Sequence, residues 1–281
     1  MTDSADQILR GVRRMLLWNN PEKFQDSLGL SKAQSLTMAN ANLAFGCVVG
    51  SWNYGLQHKD SDVDLKLGYW PTFEQFFDGR FPTVRVNNPK LDYTLEPVHQ
   101  LFQNILKGNF SFVEMLYPLK EDYRWAQMTA TSDAYTDELG CLLEQAKILV
   151  NGNARNLVSA NLGSAKQARH RADITSDNQV WRKESAKAYR FVEAVRLNLV
   201  DNSLVGYREP KSLEYQRSVL AGEVAADDFE EEYTTLEAHV KDLASFMLDD
   251  LDQTHTDSYQ RALRDYKWSL MSAVRSHTRD M

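Results

Sequence analysis

Cysteine is nearly absent. Cys47 and Cys141 are the two in 281 residues, and they lie far apart. That excludes a disulfide framework and any zinc spacing. Both thiols are expected to be reduced and buried, in a cytoplasmic protein. Long apolar runs are also missing: no stretch approaches the roughly 20 residues a membrane span needs. The opening MTDSADQILRGVRRMLLWNN has no signal-peptide apolar region. Ile8, Val12, Met15 and Leu16 recur at helical spacing, which predicts an amphipathic surface helix near 6–18. Positive charge is in deficit, with a net charge of −7. A broadly basic nucleic-acid binder is thereby disfavoured, although a local basic cleft stays open. The six histidines form no H-x-H or H-E-x-x-H, so none is assigned a catalytic role. Neither a Walker loop nor a G-x-S-x-G nucleophile elbow is found.

What is present divides in two. In the first half, LAFGCVVGS reads as a buried strand and DVDLKLGYW as an alternating one. TVRV and LDYTLE follow as short strands, then PVHQLFQNILKG as a helix with Pro97 in its first turn and Lys107-Gly108 at its end. From about 133 onward proline is scarce and helical periodicity dominates, through DELGCLLEQAKILV, ARNLVSANLGSAKQARHR, NQVWRKESAKAYRFVEAVRLNLV, DFEEEYTTLEAHVKDLASFMLDDL and SYQRALRDYKWSLMSAVRS. The expected fold is α+β. A small mixed sheet occupies 1–125 with an N-terminal helix, and an α-helical bundle occupies 126–281, with the boundary near 121–132. The acidic cluster at 227–232 reads as a solvated helix start that suits the helix dipole. Asp249, Asp250 and Asp252 read as a polar helix end.

One stretch carries chemistry. GCVVGSWNYGLQHKDSDVDLKLG, residues 46–68, sets a Gly-Ser turn at the end of one strand and two carboxylates at the start of the next. Asp62 and Asp64 are two residues apart, so both point to one face with Cα atoms roughly 6.5–7 Å apart. Side chains so placed converge on one or two hard cations, and Mg²⁺ favours a few carboxylates plus substrate phosphates. Gly50 allows close backbone approach to a ligand, and the Ser51 hydroxyl with free N–H groups after it can grip phosphate oxygens.

Together, strand, Gly-Ser, ten intervening residues and Asp62-Val63-Asp64-Leu65 resemble the signature of the DNA polymerase β-like nucleotidyltransferase superfamily. GSWNYGLQHKDSDVDL is similar to the GSxAYGxxxxDSDxD form of a predicted nucleotidyltransferase group of phages and bacteria, the RNA-ligase-associated, RlaP-like branch. LDYTLEPVHQLFQNILKGNFSFVEMLY matches that group as a carboxylate strand, a helix and a GN…E-x-L segment. The likeness covers 44–117 well and 180–225 loosely. It implies that Gly50 and Ser51 hold a triphosphate and that Asp62 and Asp64 bind Mg²⁺ or Mn²⁺. A third carboxylate on a neighbouring strand is also implied. Asp92 fits the family spacing; Glu96, on the same strand face, is the rival. The group's helical Lys/His/Arg pattern falls here on Lys183, Lys187 and Arg190, with lysine where histidine is usual. LAGEV at 220–224 departs from the group's R-x-G-E, and Trp52 stands where a basic residue is common.

Lys183, Lys187 and Arg190 form one stripe, while Trp181, Ala188, Val192, Val195 and Leu199 cluster opposite. The stripe reads equally as an ordinary solvated face or as a wall facing phosphates. Tyr54 can stack on a base or pack. Asn109 and Glu114 are family-like, but Ser111-x-x-Glu114 is also a capping box, the better explanation for Glu114. His58 sits in the loop before Asp62. The implied activity is metal-dependent transfer of an NMP from an NTP to a hydroxyl, on an RNA (tRNA-like) end. The alternatives are nucleotidylation of a protein or small molecule, and a non-catalytic nucleotide-binding regulator.

Overall fold

The computed structural model describes residues 42–57, 61–87, 91–119, 124–126, 134–201 and 209–279. The helix expected at 6–18 and His58 lie outside them. Strand β1 (Asn42–Val49) leads through a single helical turn, α1 (Ser51–Tyr54), to β2 (Val63–Trp70). Helix α2 (Phe73–Asp78), β3 (Val84–Val86) and β4 (Leu91–Pro97) follow, then α3 (Val98–Leu106), α4 (Phe110–Val113) and a 3₁₀ turn (Glu114–Leu116). A short β5 (Arg124–Ala126) closes the sheet, in order β3-β4-β2-β1-β5. β2 and β4 run parallel and the other pairs antiparallel, so the sheet is mixed. The four strands expected from the sequence are all present. β5 falls in the stretch expected to be a boundary, and it returns to pair with β1. Three residues of strand are too short to show a period against turn-like neighbours.

Among the described residues six helices follow: α5 (Ala134–Asn151), α6 (Ala154–Ile174), α7 (Asn178–Asp201), α8 (Pro210–Ala221), α9 (Ala226–Leu251) and α10 (Asp257–Arg279). Helix α8 was not among the expected elements; its Pro210 sits at the first helical position and Gly222 caps its end in the left-handed conformation. The chain is thus α+β, a mixed sheet followed by a helical region. No helix among the described residues is long and apolar enough to cross a membrane. Cys47 is buried, but Cys141 is exposed on α5, against expectation. It lies off the apolar stripe of Leu139, Leu142 and Leu143, and a lone thiol carries little periodic signal.

The apolar cores cut across the expected boundary at 125/126. In one core Phe45, Leu101 and Phe102 pack with Leu142 and Leu149 of α5 and with Tyr266 and Ala273 of α10. Fully burying such side chains stabilises by roughly 1.5–3 kcal/mol each, so the last helix belongs energetically to the sheet. The second core joins Tyr54 and Phe110 to α7, α8 and α9. Between the two sits Asn161, 1% exposed. Its amide oxygen accepts from the Phe110 N–H at 3.1 Å, and its amide nitrogen donates to the Gly108 carbonyl at 3.1 Å. Gly108 has φ 72, and a Cβ there would meet the Leu157 backbone at 2.8 Å. The sheet segment and α6 therefore touch backbone to backbone.

Candidate active site

The polar end of one sheet face makes the site. Register sets Val49, Asp64 and Asp92 in one row across β1, β2 and β4. Directly paired residues share a face, so the two carboxylates stand side by side. Asp62 lies just before β2. Its carboxylate joins theirs, with ligand oxygens of all three within 4.8 Å of one another. Glu96 does not join: it is buried four residue pairs further along β4 and accepts from the Asn104 amide at 3.2 Å. Asp92, not Glu96, is the third carboxylate of the cluster.

Crowding has an electrostatic consequence. Burial, then the charges of Asp62, Asp92 and Glu114, push the Asp64 carboxyl up to about 7, with Lys66 pulling the other way. Three half-buried hard oxygen donors set this close together fit a hard divalent cation.

The Gly-Ser turn abuts this cluster. Gly50 has φ 68 and ψ −147, a conformation essentially restricted to glycine. A Cβ on it would overlap the Asp64 carboxylate. So Gly50 is required both by its dihedrals and by the backbone passing against the Asp64 carboxylate. Its N–H donates to Glu114 Oε2 at 3.0 Å. The N–H groups after Ser51, expected to be free for phosphate, are partly used within the turn: those of Tyr54, Gly55 and Leu56 donate to the Gly50, Trp52 and Ser51 carbonyls.

Glu114 is also not a cap. Asn109 caps α4 by accepting from the Ser111 N–H at 3.0 Å, and the Glu114 side chain turns into the site instead. Burial raises its pKa, opposed by the Tyr54 hydroxyl, the Arg190 charge and the Gly50 N–H. Tyr54 is 2% exposed, stacks on Phe110, and carries the Arg190 guanidinium 3.9 Å from its ring centroid. That ring is committed to packing, which leaves no free face for a base. Arg190 itself is half-buried and ties the helical wall to the turn.

All nine residues singled out by the sequence line one cleft of about 760 Å³. Gly50, Ser51, Tyr54, Asp62, Asp64 and Asp92 come from the sheet side. Lys183, Lys187 and Arg190 come from α7 opposite. Lys183 is exposed, whereas Lys187 and Arg190 are half-buried, so the stripe is a cleft wall rather than a solvated face. Burial lowers the Lys187 pKa, Glu184 holds it up, and Arg190 and Arg171 add to the depression.

Several contributors were not legible beforehand. Trp52 Nε1 donates to the Asp62 carbonyl at 2.8 Å, bracing the residue that the ladder does not hold. Asn53, fully buried, bonds the Glu114 carbonyl at 3.2 Å and the Leu119 N–H at 2.7 Å. Arg217 of α8 donates to the Gly55 carbonyl at 2.9 Å. Lys66, on the same strand face as the carboxylates, lines the cleft with its ammonium 3.9 Å from the Phe112 ring centroid. Burial lowers its pKa, and Glu114 and Glu96 hold it up. Gly222 ends α8 against Arg182, and Glu223 beside it lies away from the cleft. Asp249 and Asp252, read as a helix end, pair with Arg155.

No family model matches the chain, and no curated protein matches it. The functional reading therefore rests on the residues themselves.

Proposed function

We propose that the protein is a metal-dependent nucleotidyltransferase of the DNA polymerase β-like kind, moving an NMP from an NTP to a hydroxyl acceptor. The observation that carries this reading is the convergence of the carboxylate cluster, the Gly-Ser turn and the cationic face of α7 on one cleft. Such a cleft offers an anionic wall for cations and a cationic wall for phosphates, and its size suits a nucleotide.

Asp62, Asp64 and Asp92 would hold one or two Mg²⁺ or Mn²⁺ ions, which when bound neutralise charge on the phosphates and on the attacking and leaving oxygens. The Ser51 hydroxyl, Lys183 and Lys187 bind the triphosphate. Arg190 fixes the turn from the helical side through Tyr54 and Glu114. Asp92, at the outer position of the cluster toward β3, takes the acceptor's proton as its oxygen bonds the α-phosphorus. The bond from that phosphorus to the bridging oxygen breaks, and pyrophosphate leaves toward the lysines. Orientation of the two reactants supplies much of the rate.

Incubation with each labelled NTP, Mg²⁺ or Mn²⁺ and total RNA or cell lysate tests the reading. Label is expected in an RNA species from wild type and not from Asp62→Asn/Asp64→Asn. Label in protein or in a small molecule would redirect the acceptor assignment. Nucleotide binding with no label in any fraction would make the protein a nucleotide-binding regulator.

A further inference from the structure

The cleft does not stop at the carboxylates. One step along the strands from Asp64 and Asp92, the register aligns Lys66 on β2, Thr94 on β4 and Arg85 on β3 in a second row on the same face. Two residues of strand separate the rows, roughly 7 Å. All three line the cleft, and Asn87 just beyond β3 lines it too. Arg85 is exposed and makes no ion pair among the described residues.

Sheet order separates the Arg85 end of this row from the phosphate-binding wall, while Lys66 at the other end pairs with Cys47 of β1. The Gly-Ser turn leaves β1, and Arg190 lies over Tyr54 on that side. Arg85 stands on β3, three strand steps away, about 14 Å at ordinary strand spacing. The carboxylate cluster lies between. A triphosphate bound near Ser51 leaves Arg85 without a phosphate partner. Lys66 and Arg85 flank Thr94 on either side of β4, two residues beyond Asp92.

Resting on the nucleotidyl-transfer reading, we infer that Arg85, Lys66, Thr94 and Asn87 form an anion subsite for the acceptor, and that the acceptor carries a phosphate close to its reacting hydroxyl. The spacing between the rows suits one nucleotide, with its 3′ hydroxyl at Asp92 and its own 5′ phosphate at Arg85. Two sources share that chemistry: the end of a nucleic-acid strand and a free mononucleotide.

Calorimetry on the full chain with Mg²⁺ separates the possibilities. Mg-α,β-methylene-ATP is titrated first, and then either a short oligoribonucleotide with a free 3′ hydroxyl or AMP. The inference expects at least one acceptor probe to bind wild type, and Arg85→Glu to weaken it at least about tenfold. Affinity for the ATP analogue stays within about twofold. The salt slope for the oligonucleotide falls by about one unit. Arg80→Glu makes the same charge change outside the cleft and should alter neither. Binding of the oligonucleotide alone assigns a strand end; Arg85-dependent binding of AMP assigns a free phosphorylated acceptor. Equal acceptor affinity in wild type and Arg85→Glu, or no binding of either probe, overturns the subsite. Repeating the acceptor titrations without analogue keeps the failures apart. Failure of wild type to bind the α,β-methylene analogue of any of the four NTPs overturns nucleotidyl transfer, whereas an acceptor row indifferent to Arg85 overturns only this inference.

Discussion

On one side of the cleft, Asp64 and Asp92 face each other across a parallel ladder. On the other, Lys183, Lys187 and Arg190 ride one face of α7. The carboxylates are short, pinned by strand register and forced together despite their repulsion. The cations are long, carried on a helix whose opposite face is core: Ala188, Val192 and Val195 are each at most 1% exposed. Backbone geometry therefore positions the anionic wall to within a side-chain rotamer, while tertiary packing positions the cationic wall. An ion held by several carboxylates needs the first kind of placement. Flexible phosphate oxygens tolerate the second, because Lys acts as a point charge.

The largest effects should come from breaking the pinned wall. Asp62→Asn and Asp64→Asn are expected to lose about a thousandfold or more in transfer rate, as EDTA should in wild type. Stability should move the other way. The Asp64 carboxyl sits at about 7 in the fold against 3.8 ordinarily. Between those values the folded chain holds more protons than the unfolded one, so metal-free stability falls as pH rises through that window. Asp64→Asn removes that dependence. Above about pH 7, thermal melting should place it a few degrees above metal-free wild type, and Mg²⁺ should close the gap by stabilising only wild type. Equal melting curves at every pH would mean that the cluster is not strained.

Next comes the division of labour within that wall. Asp92→Ala should bind Mg-NTP with near-normal affinity and transfer at least about a hundredfold more slowly. Glu96→Ala should stay within a few-fold on both counts, since its carboxylate is spent on Asn104. Calorimetry and single-turnover transfer on the same preparations decide this. A dead Glu96→Ala beside a healthy Asp92→Ala would contradict the row in which Asp64 meets Asp92.

The packed wall should respond more weakly and less uniformly. Lys183 is exposed, so Lys183→Ala should weaken NTP use by roughly tenfold with melting unchanged. Arg190→Ala should do both kinds of damage. It removes a guanidinium from the Tyr54 ring and a cation from buried Glu114, so melting should drop as well. Wild-type kinetics in the double variant would show the stripe to be irrelevant to phosphate.

The same contrast explains what the sequence disclosed. Local spacing puts Asp62 and Asp64 on one face, whereas Asp92 is preferred to Glu96 on the same face only through the spacing of the family resembled, and it is strand register that sets Asp92 beside Asp64. Helical spacing likewise put Lys183, Lys187 and Arg190 on one stripe, but only packing decides whether such a stripe faces a cleft. Glu114 was misread because Ser111-x-x-Glu114 has a local meaning, and its true partner, Gly50, lies 64 residues away. Lys66 was passed over because a lysine between Leu65 and Leu67 reads as the solvent side of an alternating strand. Asn53 and Arg217 act through contacts that no local pattern encodes.

The smallest effect tests the one carboxylate that register does not hold. Asp62 precedes β2, so no ladder bond fixes its backbone; the Trp52 indole N–H does, at 2.8 Å to the Asp62 carbonyl. Trp52→Phe keeps an aromatic ring and removes that donor. The half-exposed carbonyl can turn to water, so the loss should be modest, about 0.5–1.5 kcal/mol in denaturant unfolding. The functional signature should be specific. Asp62 gains freedom while Asp64 and Asp92 stay in their row, so the divalent-cation concentration for half-maximal rate should rise a few-fold, with NTP affinity at saturating metal unchanged. Trp52→His, which keeps a ring donor, should recover part of the shift. If Trp52→Phe and wild type need the same metal concentration, Asp62 is held by the strand alone, and the anionic wall is more fully a product of backbone register than the Trp52 contact implies.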